Sequence, residues 1–209
     1  QLRYALHLSS ENEGEWGQIP PIRERVEKTR KFRQGSKAKT TIGYASVPHR
    51  FAQYCHRDET AIAMPSVTPE ERTHVTPLLL EPGPMVTNLA YLVYDYDLSS
   101  FSLLSSRMHI SWVRGVSGRH GSGVRYTPSI SYHTFPVPKL TETDKANLTR
   151  CAEDILLARE AHFPATIADL YDPEKMPDNL RAAHDRNDET LERIYIGRRF
   201  RNDTERLET

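Results

Sequence analysis

No stretch of this 209-residue chain approaches the ~20 apolar residues that a helix needs to cross a bilayer. No membrane partner is therefore expected. The first residues show no basic stretch followed by an apolar run, so no secretory signal can be read. Cysteine is scarce: Cys55 and Cys151 lie far apart and form no CxxC pair. That spacing argues against a disulfide framework and a zinc site, and it fits reduced thiols in the cytoplasm. Catalytic signatures are missing too. There is no HExxH, no GxSxG and no Cys/His arrangement of a nucleophile with its base. The run GVSGRHGSG lacks the dinucleotide-binding spacing and has no GK[ST]. It also follows a helical pattern, whereas both phosphate motifs follow a strand. The acidic pairs Glu70-Glu71 and Asp188-Glu189 lie on polar stretches and read as solvated. No catalytic residue, metal ligand or cofactor site is expected. The chain opens at Gln1, which reads as a segment of a longer protein.

What is present is unevenly spread. The 28 basic and 28 acidic residues cancel, yet residues 1–141 hold 17 basic and 12 acidic groups, and the remainder is acidic. From Ser105 to Pro138 there is no acidic residue at all, among several Arg and His. Such a run would be drawn to a polyanion. A solvated imbalance of no consequence reads the same counts equally well.

The pattern of elements is α+β. Pro20 and Pro21 open a charged helix, IRERVEKTRKFRQ, with Ile22, Val26 and Phe32 apolar and Gly35 as its stop. Its basic face continues to Lys37 and Lys39, candidates for phosphate contact. Glu24 and Glu27 stand at i,i+4 from Lys28 and Lys31, so a salt-bridged surface helix is the alternative. From Thr40 to Asp95 the pattern becomes strand-like: TAIAMPSV, HVTPLLL and MVTNLAYLVYDYD, punctuated by Pro65, Pro77, Pro82 and Pro84. An irregular mixed sheet of short strands is expected. Asp97, Ser99 or Ser100 caps a helix predicted to run to about Val116, with an apolar stripe at Phe101, Leu104, Met108 and Trp112. A flexible glycine-rich loop follows, in which Arg119 and Arg125 are further phosphate candidates. VRYTPSISYHTFPVP reads as a strand with a proline-defined exit. Beyond it come helices: Thr141 to His162, a short TIADLYDP element, and NLRAAHDRNDETLERIY. The expected organisation is a leader over 1–17, an irregular mixed-sheet domain over 18–140 and a helical segment over 141–209.

One turn stands out chemically. TPEERTH offers two carboxylates, a guanidinium and an imidazole between two strand patterns. Arginine can grip guanine by two hydrogen bonds, and a carboxylate can accept from the cytosine amino group. Mutual pairing of Glu and Arg on the surface is the plain alternative.

Together these pieces carry a resemblance. In order they are PPIRERVEKTRKFRQGSKAKT, VPHRFAQ, MPSVTPEERTHVTP, LLSSRMHISWVRGVSGR, VRYTPSISYHTFPVP and ILLAREAHFPATIADLYDPEKMPDNLRAAHDRND. The chain resembles the C-terminal part of MmeI-like (type IIG/IIL) restriction–modification enzymes and related class I DNA methyltransferases. The resemblance implies a DNA target recognition domain followed by C-terminal helices. It implies an upstream methyltransferase domain of the same parent chain, using S-adenosylmethionine, and double-stranded DNA as the partner. The parent would be an adenine-specific methyltransferase, with or without an endonuclease; this segment holds neither the cofactor motif nor the (N/D)PPY loop. Glu70, Glu71, Arg72 and His74 carry over as base-reading candidates. The alternative is a structural module that docks on the methyltransferase domain without reading bases. Two departures are visible: the loop GRHGSGVRY has more glycine and less lysine than the family pattern, and the chain stops before the expected final aromatic segment.

Overall fold

The computed structural model describes residues 5–52, 54 and 56–208. Cys55, read above as a reduced thiol, lies outside them. The chain divides into two compact units, Gln1–His56 and Arg57–Thr209.

The first unit is helical. Asn12 precedes α1 (Glu13–Trp16), and two prolines at its first positions start α2 (Pro20–Gln34), which Gly35 caps. The chain then makes α3 (Lys39–Gly43) and a 3-10 turn over Tyr44–Ser46. Among its described residues, Trp16, Val26, Ala45 and Pro48 are buried. Arg33 is an internal organiser rather than part of an open basic face. Its guanidinium donates to the carbonyls of Tyr44 (2.9 Å), Val47 (3.0 Å) and Arg50 (2.7 Å). Phe32 is 76% exposed. It stands six residues beyond Val26, about 120° off that face at 100° per residue.

The second unit is α+β. Its strands are β1 (Ala61–Pro65), β2 (Val67–Pro69), β3 (Leu78–Leu80) and β4 (Ala90–Val93). Next come the helices α4 (Leu98–Leu104) and α5 (Arg107–Val116). Then follow β5 (Arg119–His120), β6 (Gly123–Arg125) and α6 (Pro128–Ser131). The chain ends with α7 (Glu142–Glu160), α8 (Ile167–Leu170), α9 (Asp178–Ile196) and α10 (Asp203–Leu207). The described strands form two small sheets, ordered β3-β1-β4 and β2-β6-β5, every pair antiparallel. Central β1 is apolar along most of its length because both its edges are paired and both faces are covered; Ile62 and Met64 are fully buried. Ser66 is the link between the sheets. Its N–H donates to Leu89 O and its carbonyl accepts from Tyr126 N, each at 2.9 Å.

Two expectations change here. The single helix predicted from Asp97 to Val116 is two helices. Ser105 ends α4, and Ser106, in an extended conformation, caps α5 by accepting from His109 N at 3.1 Å. The apolar stripe therefore splits: Phe101 and Leu104 enter the core around Ile62, while Met108 and Trp112 enter a second cluster with Phe135 and Leu191. The glycine-rich loop is a β-hairpin. Gly121 takes the left-handed conformation its turn needs (φ +61°).

The C-terminal helices begin where capping chemistry says they should. Thr141 with Asp144 and Thr166 with Asp169 form capping boxes for α7 and α8. Ala152, Ile155, Leu180 and Ala183 from α7 and α9 join Ile62, Phe101 and Val124 in one core. Strands and C-terminal helices thus share one unit.

Candidate nucleic-acid interface

The pairing of β2 with β6 positions the interface. Pro69 lies opposite Gly123, and Thr68 opposite Val124. The turn that leaves β2 and the tip of the hairpin therefore project from the same end of one sheet. This closeness requires glycine at 123. A Cβ there would lie 2.6 Å from Val67 Cγ1 and 3.1 Å from Thr68 O.

The turn closes by a hydrogen bond from Arg72 N to Pro69 O at 3.2 Å. It is then held from three sides. From α5, Arg114 Nη2 donates to the carbonyls of Glu70 (2.8 Å) and Arg72 (2.9 Å). From the hairpin, the Arg119 guanidinium meets the Glu70 carboxylate at 2.5 Å, and both side chains are half exposed or more. The hydrogen bond and charge of Arg119 hold the Glu70 carboxyl below the usual carboxylate range. From α9, Asp188 holds His74.

The side chains singled out in the sequence divide accordingly. Glu71 is exposed. Arg72 is half buried; its Nη1 donates to Thr76 Oγ1 at 3.1 Å. His74 points inward and is 6% exposed. Its Nε2 bonds Asp188 Oδ2 at 2.9 Å and its Nδ1 bonds Thr73 Oγ1 at 3.0 Å. Arg125 lies on β6, exposed. Lys37 and Lys39 are exposed, but they belong to the first unit.

Beneath the turn lies a buried polar network that the sequence reading missed. The second carboxylate oxygen of Asp188 accepts from Arg107 N at 2.8 Å. The ring of His74 packs on that of His184, centroids 4.2 Å apart. His184 Nε2 is bonded to Tyr171 OH at 2.6 Å, and Tyr171 OH accepts from Arg159 Nε at 2.8 Å. Arg159 Nη1 reaches back to the carbonyl of Pro77 at 2.7 Å. Burial, with His74 and Arg159 nearby, holds His184 well below the usual histidine range. The expectation that Asp188 is solvated is thus overturned, since it is 8% exposed; its neighbour Glu189 faces outward, paired with Arg193 and Arg199. A sequence signal for this was available. His184, Asn187 and Asp188 fall on the face of α9 that carries Leu180, Ala183 and Leu191, so polar groups stand in register with an apolar stripe.

No metal cage is seen in this arrangement. Among the described residues no group of three or more His, Cys, Asp or Glu could hold a metal ion, and no helix is long and apolar enough to cross a membrane. What it offers is a rigid tip with carboxylates and arginines at its surface.

Comparison with known proteins agrees with that chemistry. The family described as MmeI, target recognition domain, matches residues 1–139, and MmeI, C-terminal domain, matches residues 140–209. DNA methyltransferase A of Bacillus subtilis (strain 168) is 35% identical over 210 residues, covering 99% of this chain and 23% of the relative. A solved structure of the type IIL restriction–modification enzyme MmeI in complex with DNA superposes with a TM-score of 0.92 at 30% identity. That match covers 96% of this chain and 27% of the solved one. The chain spans about a quarter of the length of the proteins it matches.

Proposed function

The chain belongs to the family of MmeI target recognition and C-terminal domains, and from that premise we propose that it reads the DNA site of an S-adenosylmethionine-dependent adenine methyltransferase. The observation that carries this reading is the shared end of the β2-β6-β5 sheet, where the turn after Pro69 and the hairpin tip project together. In this division of labour Glu70, Glu71 and Arg72 read bases, and Arg119 and Arg125 contact phosphates. His74 supports the turn from inside, and Lys37 and Lys39 add phosphate contacts from the first unit. Residues 18–140 do the reading and residues 141–209 hold it up. Cofactor binding and methyl transfer belong to an upstream domain of the parent, which acts in the cytoplasm on double-stranded DNA.

The chemistry is favourable at these positions. Arg72 keeps donors of its fork beyond the one given to Thr76, and a bidentate contact to guanine contributes ~1–3 kcal/mol of discrimination. The test uses the full-length protein carrying this chain, with methylation-sensitive sequencing of a random DNA library. Arg72→Ala or Glu71→Gln is expected to change the base accepted at one position of the methylated site. An unaltered site at an unaltered rate in both variants would place base reading elsewhere.

A further inference from the structure

Arg114 is neither a base-reading nor a phosphate candidate by sequence, yet it holds the turn more directly than any other side chain. It sits in the last turn of α5. One nitrogen, Nη2, bridges the carbonyls of Glu70 and Arg72 at 2.8 and 2.9 Å. Those two residues flank Glu71. The turn's own hydrogen bond uses Arg72 N and Pro69 O, so the bridged oxygens are acceptors that the turn does not satisfy itself. A planar, permanently charged guanidinium suits this task. α5 is itself fixed at its start, because Arg107 N donates to Asp188, the residue that also holds His74. The turn is therefore gripped at its first half by Arg114 and at its second half by His74, with both grips traced to the same α5–α9 framework.

We propose that Arg114 is a positioning residue for sequence discrimination: it fixes the main chain on both sides of Glu71 and so sets where the side chains of Glu70, Glu71 and Arg72 can reach. This rests on the proposal that the turn reads bases. Misplacement of a hydrogen-bonding group by about an ångström is enough to lose a directional contact. Arg114 would then govern specificity without touching a base.

The experiment is again methylation of a random-sequence library by the full-length protein, scored as the ratio of preferred to disfavoured base at each position of the site. Arg114→Ala is expected to lower the ratio about tenfold at the positions that Arg72→Ala or Glu70→Gln also affects, within the range of one bidentate contact. Ratios at other positions should hold. Arg114→Lys, which keeps a charged donor, should recover a substantial part of the loss; Arg114→Leu should not. A uniform fall for every sequence would overturn the proposal, since a phosphate contact or general destabilisation behaves that way. An unchanged ratio in Arg114→Ala, alongside a changed one in Arg72→Ala, would overturn the role of Arg114 and leave the reading turn standing. Unchanged ratios in all variants would overturn both. If Arg114→Ala and Arg114→Leu melt too early to assay, Lys and Gln variants are compared at reduced temperature. Equal ratios in those two would overturn the proposal, and a lower ratio in Gln would support it.

Discussion

Single residues here carry two kinds of burden, and pH separates them. His109 is fully buried between Tyr126, whose OH lies 3.1 Å from its Nε2, and the edge of Phe135. Burial pushes its pKa down to about 3. Its ordinary value is about 6.5, so between those limits the unfolded chain binds a proton that the folded chain refuses. Stability is therefore full above about pH 6.5 and falls as pH drops towards 3, with a slope of up to about 1.4 kcal/mol per pH unit from this group. His184 acts in the same direction. Urea denaturation at pH 7.5 and pH 5 should show the loss, and His109→Gln should flatten it; equal flatness in the parent chain would contradict the assignment. On the surface the burden is electrostatic. Arg119→Ala and Arg125→Ala are each expected to weaken binding of all duplexes alike and to reduce the salt slope by about one unit per lost phosphate contact. An unchanged slope in both would mean that the hairpin faces away from DNA. The inward turn of His74 was not legible in the sequence, since its partner Asp188 is 114 residues away. Glu70 and Arg119 each read plausibly as a DNA contact alone. That they meet each other depends on a strand pairing no local pattern announces.

At the scale of elements, legibility followed how local the governing forces are. The starts of α7 and α8 are legible because capping residues and 3.6-residue periodicity act within a few positions, and α9 is legible by its periodicity, its N-cap Pro177 making no side-chain cap bond. The hairpin is not, because strands of two and three residues have too little pattern of their own and exist by pairing with each other and, through β6, with β2. The break at Ser105–Ser106 was hidden for a different reason. The apolar stripe runs through it, and only the cap formed by Ser106 shows that the helix restarts. Gly123 is the point where this pairing can be tested. Gly123→Ala should cost about 1–3 kcal/mol through overpacking against Val67, and a second change, Val67→Ala, should return part of it. The midpoints of urea unfolding for the single and double variants decide the matter; strict additivity would show that the contact is not the cause. In the helices, Leu180 is fully buried in the larger core, and Leu180→Ala is expected to cost about 2–5 kcal/mol in the same measurement.

At the scale of the whole molecule, the apolar clusters of the second unit, among the described residues, draw on residues from Ile62 to Phe200. The segment 57–209 is therefore expected to fold by itself and to give one cooperative calorimetric transition. A broad, non-cooperative melt would show that the first unit is needed. The 209-residue chain should bind S-adenosylmethionine no better than background, because the cofactor loop expected by family resemblance has no counterpart in its sequence. Titration calorimetry giving tight binding would contradict that division of labour.

The grip of Arg114 on the turn has one more consequence. It falls on main-chain oxygens, which every amino acid possesses. Support of that kind does not register which side chains the turn displays. On the proposal that this turn reads bases, positions 70 and 71 are then free to change letter over generations while the scaffold stays constant, and selection can rewrite the word being read without rebuilding the reader. Lineages descended from one ancestor should accordingly diverge in the sites they mark faster than in the arginine that steadies the turn.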